Sequence, residues 1–322
     1  MWDIGLDLGL FKDRLSLTLD WYRTDTKDIL FEKSLPYAIG GYASSAFTIW
    51  SNVGETRNRG LELAITSHNF TGPDFTWDTT LTFSTNKEEV IKTTSDGPLQ
   101  FGDYYLIKGQ PINTYYGYKY AGIWGTDEAE EAAKYDQVPG QVRIADKDGN
   151  GTLNTDDYYV LGSATPKWSG SLLNNFTYKN FDLSVFAMAR YGQTINSDLL
   201  GYYTAEQSVT TNQLAGADYW TENNQGAYYP APGTGSEQST VISALRVRDG
   251  SFIKVKNITL GYTFPVNISR KALMEKCRIY ATAYNPFIYV KDKQLKGTDP
   301  ETNGSDAFPT FRQFVFGVNL TF

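Results

Sequence analysis

Residues 146–157, Asp-Lys-Asp-Gly-Asn-Gly-Thr-Leu-Asn-Thr-Asp-Asp, put side-chain oxygens at loop positions 1, 3, 5, 9 and 12 and a glycine at position 6. Oxygen donors at this spacing converge on a hard cation such as Ca2+, and the glycine allows the sharp turn between them. The candidate ligands are Asp146, Asp148, Asn150, Thr152 and Asp157, with Asn154 at position 9. Position 12 is an aspartate, whose short arm makes a bidentate grip harder, so modest affinity is expected. The alternative for the same residues is a polar turn closed by its own side-chain to backbone hydrogen bonds. In the cation reading, the metal stiffens a loop and takes no part in catalysis.

Other chemistry is poorly supplied. His68 and Cys277 are each the single residue of their type, which argues against zinc sites, a disulfide framework and histidine-based triads. No phosphate loop of the Gly-x-x-x-x-Gly-Lys kind occurs, and no spacing marks two carboxylates facing across a cleft. Nothing here predicts an enzyme. The long polar stretches do carry aromatics beside Asn, Gln and Asp: Tyr115, Tyr116, Tyr118 and Trp124 in one, Tyr202, Tyr203, Tyr219 and Trp220 in another. Such side chains suit stacking on sugar rings or peptide side chains, or contact with a partner. Packing of loop against loop is the competing use.

These residues must be held by strands. Ile4, Leu6, Leu8 and Leu10 alternate with Asp3, Gly5, Asp7 and Gly9; Leu61, Leu63 and Ile65 alternate with Glu62, Ala64 and Thr66. Phe181, Leu183, Val185, Ala187 and Ala189 oppose Asp182, Ser184, Phe186, Met188 and Arg190, and Phe314, Phe316, Val318, Leu320 and Phe322 share one face of the last strand, the candidate barrel-assembly strand. Period two is the strand signal. It predicts nine long strands over 3–11, 14–30, 57–69, 75–92, 167–179, 181–195, 252–264, 277–290 and 312–322, with a phase slip near Asn257 of the kind a β-bulge produces. Connections alternate between short turns and the long segments 31–56, 93–166, 196–251 and 291–311. Aromatics (Phe11, Phe75, Trp77, Tyr178, Phe181 and Phe264) gather beside the short turns.

Short turns at one end, long loops at the other and aromatics at the rim are the pattern of an all-β, antiparallel transmembrane β-barrel with long extracellular loops. Aromatics make up 15% of the chain, which interface girdles would use. No apolar run reaches the roughly 20 residues of a spanning helix. A net charge of −7 excludes an electrostatic fit to nucleic acid. A soluble β-sandwich, such as a carbohydrate-binding module, is the alternative, with the apolar faces pressed together as a core. Against it stand Asp, Glu and Arg on the opposite faces, which a water-filled lumen tolerates; Arg57, Arg59, Glu62, Asp182 and Arg190 are expected to line it or to cap strand ends.

Several phrases go further. Asn52-Val-Gly-Glu-Thr-Arg-Asn-Arg-Gly-Leu-Glu-Leu63, the 146–157 loop with Val160-Leu-Gly162, Asn175-Phe-Thr-Tyr-Lys-Asn-Phe-Asp-Leu-Ser-Val-Phe186, Phe252-Ile-Lys-Val-Lys-Asn-Ile-Thr-Leu-Gly-Tyr-Thr-Phe-Pro265 and Tyr284-Asn-Pro-Phe287 resemble, in order, the C-terminal part of SusC/RagA-type TonB-dependent outer-membrane transporters. The resemblance implies that residues 1–322 are about the last nine strands of a 22-stranded barrel whose N-terminal barrel part and plug lie elsewhere. Met1-Trp-Asp-Ile-Gly also lacks the features of a signal peptide, as expected of a fragment or one chain of a split transporter. Partners implied are outer-membrane lipid, a SusD-like surface lipoprotein, the TonB complex acting through the plug, and a glycan or peptide ligand. A passive outer-membrane pore or surface-binding barrel is the other membrane reading.

Overall fold

The computed structural model describes residues 1–34, 48–94, 97–202, 216–232, 243–305 and 310–322. The chain begins with two hairpins, β1 (Trp2–Leu10), β2 (Leu15–Ser34), β3 (Thr48–Thr71) and β4 (Phe75–Lys92). Six short strands follow: β5 (Leu99–Phe101), β6 (Tyr104–Leu106), β7 (Thr114–Gly117), β8 (Tyr120–Ile123), β9 (Val142–Ile144) and β10 (Tyr159–Ser163). Then come β11 (Trp168–Tyr178), β12 (Phe181–Tyr191), the short pair β13 (Thr194–Asn196) and β14 (Val247–Asp249), and finally β15 (Phe252–Thr263), β16 (Lys276–Val290) and β17 (Gln313–Thr321). The nine long strands form one antiparallel sheet in chain order, β1-β2-β3-β4-β11-β12-β15-β16-β17. Those are the nine strands expected from period two.

The strand ends depart from expectation by more than about two residues in two places, each for a local reason. The β2–β3 hairpin runs on until Ser34 faces Thr48, well beyond the alternating segment, because its upper part carries no apolar face to mark it. β12 stops at Tyr191 rather than 195: Gly192 adopts φ +77°, a left-handed geometry glycine takes without penalty, and the chain turns to pair β13 with β14. The phase slip near Asn257 is a bulge. The ladder jumps from Val255 to Asn257 against both neighbours, leaving Lys256 as the extra residue, and every later side chain of β15 changes face.

Cross-strand register sorts the side chains into rows. Leu8, Leu17, Ile65, Leu81, Leu172 and Ala187 lie side by side across six strands, and beyond the bulge Leu183, Leu260, Ala281 and Phe316 continue the same face. The row one residue away holds Thr18, Ala64, Thr82, Ser171 and Met188, and the next Asp20, Glu62, Ser84, Ser169 and Arg190; together these line a concave hollow of about 370 Å³. Two tyrosines on this face lie over glycines: a Cβ on Gly60 would meet Tyr22, and one on Gly317 would meet Tyr280.

The apolar rows are bare. Ile4 is 62% exposed, Leu260 52% and Phe316 80%, and among the described residues no second sheet covers them, since the other sheets have four, two and two strands. A β-sandwich would bury these faces, so that alternative is set aside. Phe181 and Tyr191 end the 11-residue β12; at ~3.3 Å per residue and a tilt near 40° that length spans about 25 Å, the height of an outer-membrane apolar band. In the full-length barrel, Ile65→Arg on this face is expected to cost roughly 2–4 kcal/mol and Ala64→Arg on the concave face under about 1 kcal/mol. Denaturant titration of the protein refolded into vesicles measures both, and equal costs would contradict the assignment of faces.

Candidate functional site

The long connections at one end of the sheet pack on one another and make their own core. Val142 and Ile144 of β9, Ile195 of β13, Leu200, Tyr228, Tyr229, Ala244, Leu245 and Leu295 form one buried cluster. Its members come from three different connections, 93–167, 192–251 and 291–312, so the loops constitute a single cap. A sheet whose apolar face is turned outward offers nothing to pack against, and the cap must exclude water with its own aromatics.

That requirement decides the fate of most loop aromatics. Tyr115 is 6% exposed, Trp124 2% and Trp220 7%, so their rings pack inside the cap, the competing use expected for such side chains. Tyr115 lies 5.1 Å from Tyr104, and burial pushes its phenol well above the usual range. Trp124 stacks on Tyr135, holds the Arg143 guanidinium 4.5 Å from its ring and donates its indole N–H to Gln137 at 2.7 Å. Trp220 packs with Ala227, Ala231 and Ile123. Tyr116 and Tyr118 both meet Tyr158 edge-on and, like Tyr219 against Tyr229, stay half-exposed. Tyr202 ends the helix Asp198–Tyr202, and Tyr203 lies outside the described residues.

In the 146–157 loop, Asp146, Asp148 and Asp157 each bring a carboxylate oxygen to within 4.8 Å of the others. Gly151, at position 6, has φ +78°, the left-handed geometry the turn demands. The same oxygens accept backbone N–H groups: Asp146 from Gly149 at 2.7 Å and Gly151 at 2.9 Å, Asp157 from Lys147 at 2.8 Å and Asn154 at 2.9 Å. Asn150 accepts from Thr152 at 2.7 Å. The Gly151 N–H above all, with the Gly149 N–H and the Tyr135 hydroxyl, holds the Asp146 carboxyl down at about 2. Asp157 is fully buried. The loop thus has converging anionic oxygens and a turn web that already holds them in place.

The lumen side carries a cluster that period-two reading missed. Lys254 of β15, 2% exposed, points from the concave face to Asp299 and Glu301 of the last long connection, 2.8 Å from the Glu301 carboxylate. Lys256, the bulged residue, reaches the same Glu301 at 2.7 Å. Burial alone would raise the Glu301 carboxyl, and the two ammonium groups more than reverse it. Glu62, Asp182 and Arg190 also lie on this face, Asp182 paired with Arg278 at 2.9 Å. Arg57 and Arg59 instead share the outward face of Leu61. Where wall meets cap, Glu88, Gln110, Thr165, Gln193, Arg248 and Asp249 line a polar cleft of about 800 Å³.

An open stretch of antiparallel strands with a bare apolar face, a polar concave face and a cap at one end is the wall of an outer-membrane barrel. The chain matches the family model "TonB dependent receptor-like, beta-barrel" over residues 1–285, and it belongs to that family. It is 32% identical to TonB-dependent receptor P3 of Formosa agariphila over 99% of its own length and 34% of that protein's. It is 30% identical to TonB-dependent receptor SusC of Bacteroides thetaiotaomicron over 100% of its own length and 31% of that protein's. The RagAB peptide importer in its open-open state superposes with a TM-score of 0.74 at 26% identity, covering 99% of this chain and 34% of that one. The chain therefore spans about a third of the length of the curated relatives it matches.

Lys254→Ala would leave Asp299 without a cation while Glu301 keeps Lys256, at a cost of at most roughly 3–5 kcal/mol. The expected result in the full-length receptor is faster hydrogen exchange of the amides from 295 to 302, with β11 and β12 unaffected. Unchanged protection would show that the cluster does not hold the last long connection in place.

Proposed function

We propose that this chain is the C-terminal wall and external cap of an active outer-membrane importer for oligosaccharides or oligopeptides. The observation that carries the reading is the pairing of a lipid-facing wall with a polar concave face under a folded cap. The SusC and RagAB likenesses support an importer over a static pore. In this reading a SusD-like surface lipoprotein rests on the cap and delivers ligand, and the TonB complex, acting through the plug, supplies the energy. The chain's own residues make and break no bond. They supply a lumen lined by groups such as Glu62, Asp182 and Arg190, and loops that hold the lid. Partly exposed Tyr116, Tyr118 and Tyr219 are among the cap aromatics that could meet a sugar ring or a peptide side chain.

In the native host, cells carrying the full-length receptor are expected to take up labelled oligosaccharide or oligopeptide, and an uncoupler of the inner-membrane proton gradient should abolish uptake. Uptake indifferent to the uncoupler would identify a passive pore. Deletion of 196–251 removes cap-core residues Leu200, Tyr228, Tyr229, Ala244 and Leu245 and should abolish both uptake and co-purification of the lipoprotein. Normal uptake and a retained partner after that deletion would defeat the loop assignment.

The 146–157 loop is a second proposal, for a hard cation held by Asp146, Asp148, Asn150, Thr152 and Asp157. The support is the three-carboxylate convergence together with the left-handed glycine at position 6. Its role is to brace the cap. Millimolar Ca2+ should slow proteolysis between 140 and 160, and Asp157→Asn should remove the effect. Protection that is the same with and without Ca2+ would leave the loop as a self-closed turn.

A further inference from the structure

Above the apolar band, the outward face changes character within one row. Ile4, Trp21 and Leu61 lie side by side, and two residues nearer the cap the same face reads Arg23, Arg59 and Lys87. No bulge interrupts β2, β3 or β4 over this stretch, so strand alternation puts all three cations on the face of Leu63 and Phe83. Lys291 extends the belt on the far side of the sheet, its ammonium 5.0 Å from the Tyr191 ring. Like charges placed directly opposite on adjacent strands repel, and such a row needs anions. Asp25 serves Arg23 at 2.9 Å and Arg57 at 2.6 Å, and Asp249 serves Lys291 at 2.6 Å. Arg59 and Lys87, both exposed, have no carboxylate partner among the described residues.

The position of this pair says what should neutralise it. It lies just beyond the aromatic girdle of Trp21, Trp168 and Tyr191, where apolar wall gives way to headgroups. The long connections leave from this end, which in outer-membrane barrels faces outward, towards the leaflet whose glycolipid headgroups are phosphorylated. A chain of net charge −7 concentrates cations here against its own average. A guanidinium beside an ammonium at cross-strand spacing suits the oxygens of one phosphate. We propose that Arg59 and Lys87 form a binding site for the phosphate of an outer-leaflet glycolipid headgroup, with the lipid's acyl chains on the Leu63 and Phe83 rows below. The inference rests on membrane placement and not on the transport reading.

The test uses full-length receptor in detergent, exposed to phosphorylated lipid A, to the same lipid A dephosphorylated, and to phosphorylated lipid A with excess inorganic phosphate. Lipid retained per barrel is read by native mass spectrometry. The wild type should prefer the phosphorylated form, and Arg59→Gln with Lys87→Gln should lower its retention about thirtyfold, at roughly fivefold per cation near an anionic surface. Lys12→Gln, in the short turn at the opposite end, should change nothing. The charge-keeping pair Arg59→Lys with Lys87→Arg should retain the lipid, which separates lost charge from lost fold. Equal retention of the two lipid forms by the wild type would overturn the proposal without recourse to any variant. So would undiminished retention in the double glutamine variant, and so would full displacement by inorganic phosphate, which would mark a site for the free ion.

Discussion

A backbone that crosses hydrocarbon must pair every N–H and C=O with its own kind, because lipid offers no hydrogen bonds. In this chain the pairing is the nine-stranded ladder, and the remaining features follow from it. A ladder fixes side chains to two faces at period two, so one set must suit acyl chains and the other a wet lumen. The Leu8, Leu17, Ile65, Leu81 and Leu172 row and the Asp20, Glu62, Ser84, Ser169 and Arg190 row are the two answers. Turning the apolar face outward leaves the sheet with no hydrophobic core, and the dry interior of the described chain lies instead in the cap, around Val142, Leu200, Tyr228, Leu245 and Leu295.

Charge placement follows the same geometry. On the concave face, Asp182 pairs with Arg278 across strands, and Lys254 pairs with Asp299 and Glu301 of the cap. Lys254 shows how the wall and the cap are joined: a fully buried ammonium on a strand, satisfied only when the last long connection folds back over the lumen. On the outward face of the described residues, the cations Arg23, Arg59 and Lys87 lie beyond the apolar band.

The long strands were legible because period two is enforced by two solvents at once. Residues 61–66 and 181–190 could be assigned to faces from their side chains alone, and even the bulge at Lys256 left a readable slip. The family resemblance was legible in phrases such as 52–63 and 252–265 and agrees with the match over residues 1–285. The cap was not. Its core is assembled from residues far apart in sequence, Ile144 with Leu245 and Leu295, and no local pattern says whether Tyr115, Trp124 or Trp220 turns inward or outward. The Lys254 cluster was hidden for a related reason: Asp299 and Glu301 lie 45 and 47 residues downstream, and a lysine in a strand reads as solvated until its partners are placed. The upper part of β2–β3 lacked an apolar face and so gave no signal.

A wall between lipid and lumen places adjacent side chains of one strand in opposite environments. Nitroxides placed singly from 181 to 190 of the full-length receptor in lipid bilayers measure this, through collisions with dissolved oxygen and with a water-soluble nickel chelate. Odd-numbered positions should meet oxygen and even-numbered ones the chelate, in strict alternation. Odd-numbered positions shielded from both reagents, or a profile with no two-residue period, would contradict a wall standing between lipid and a water-filled passage.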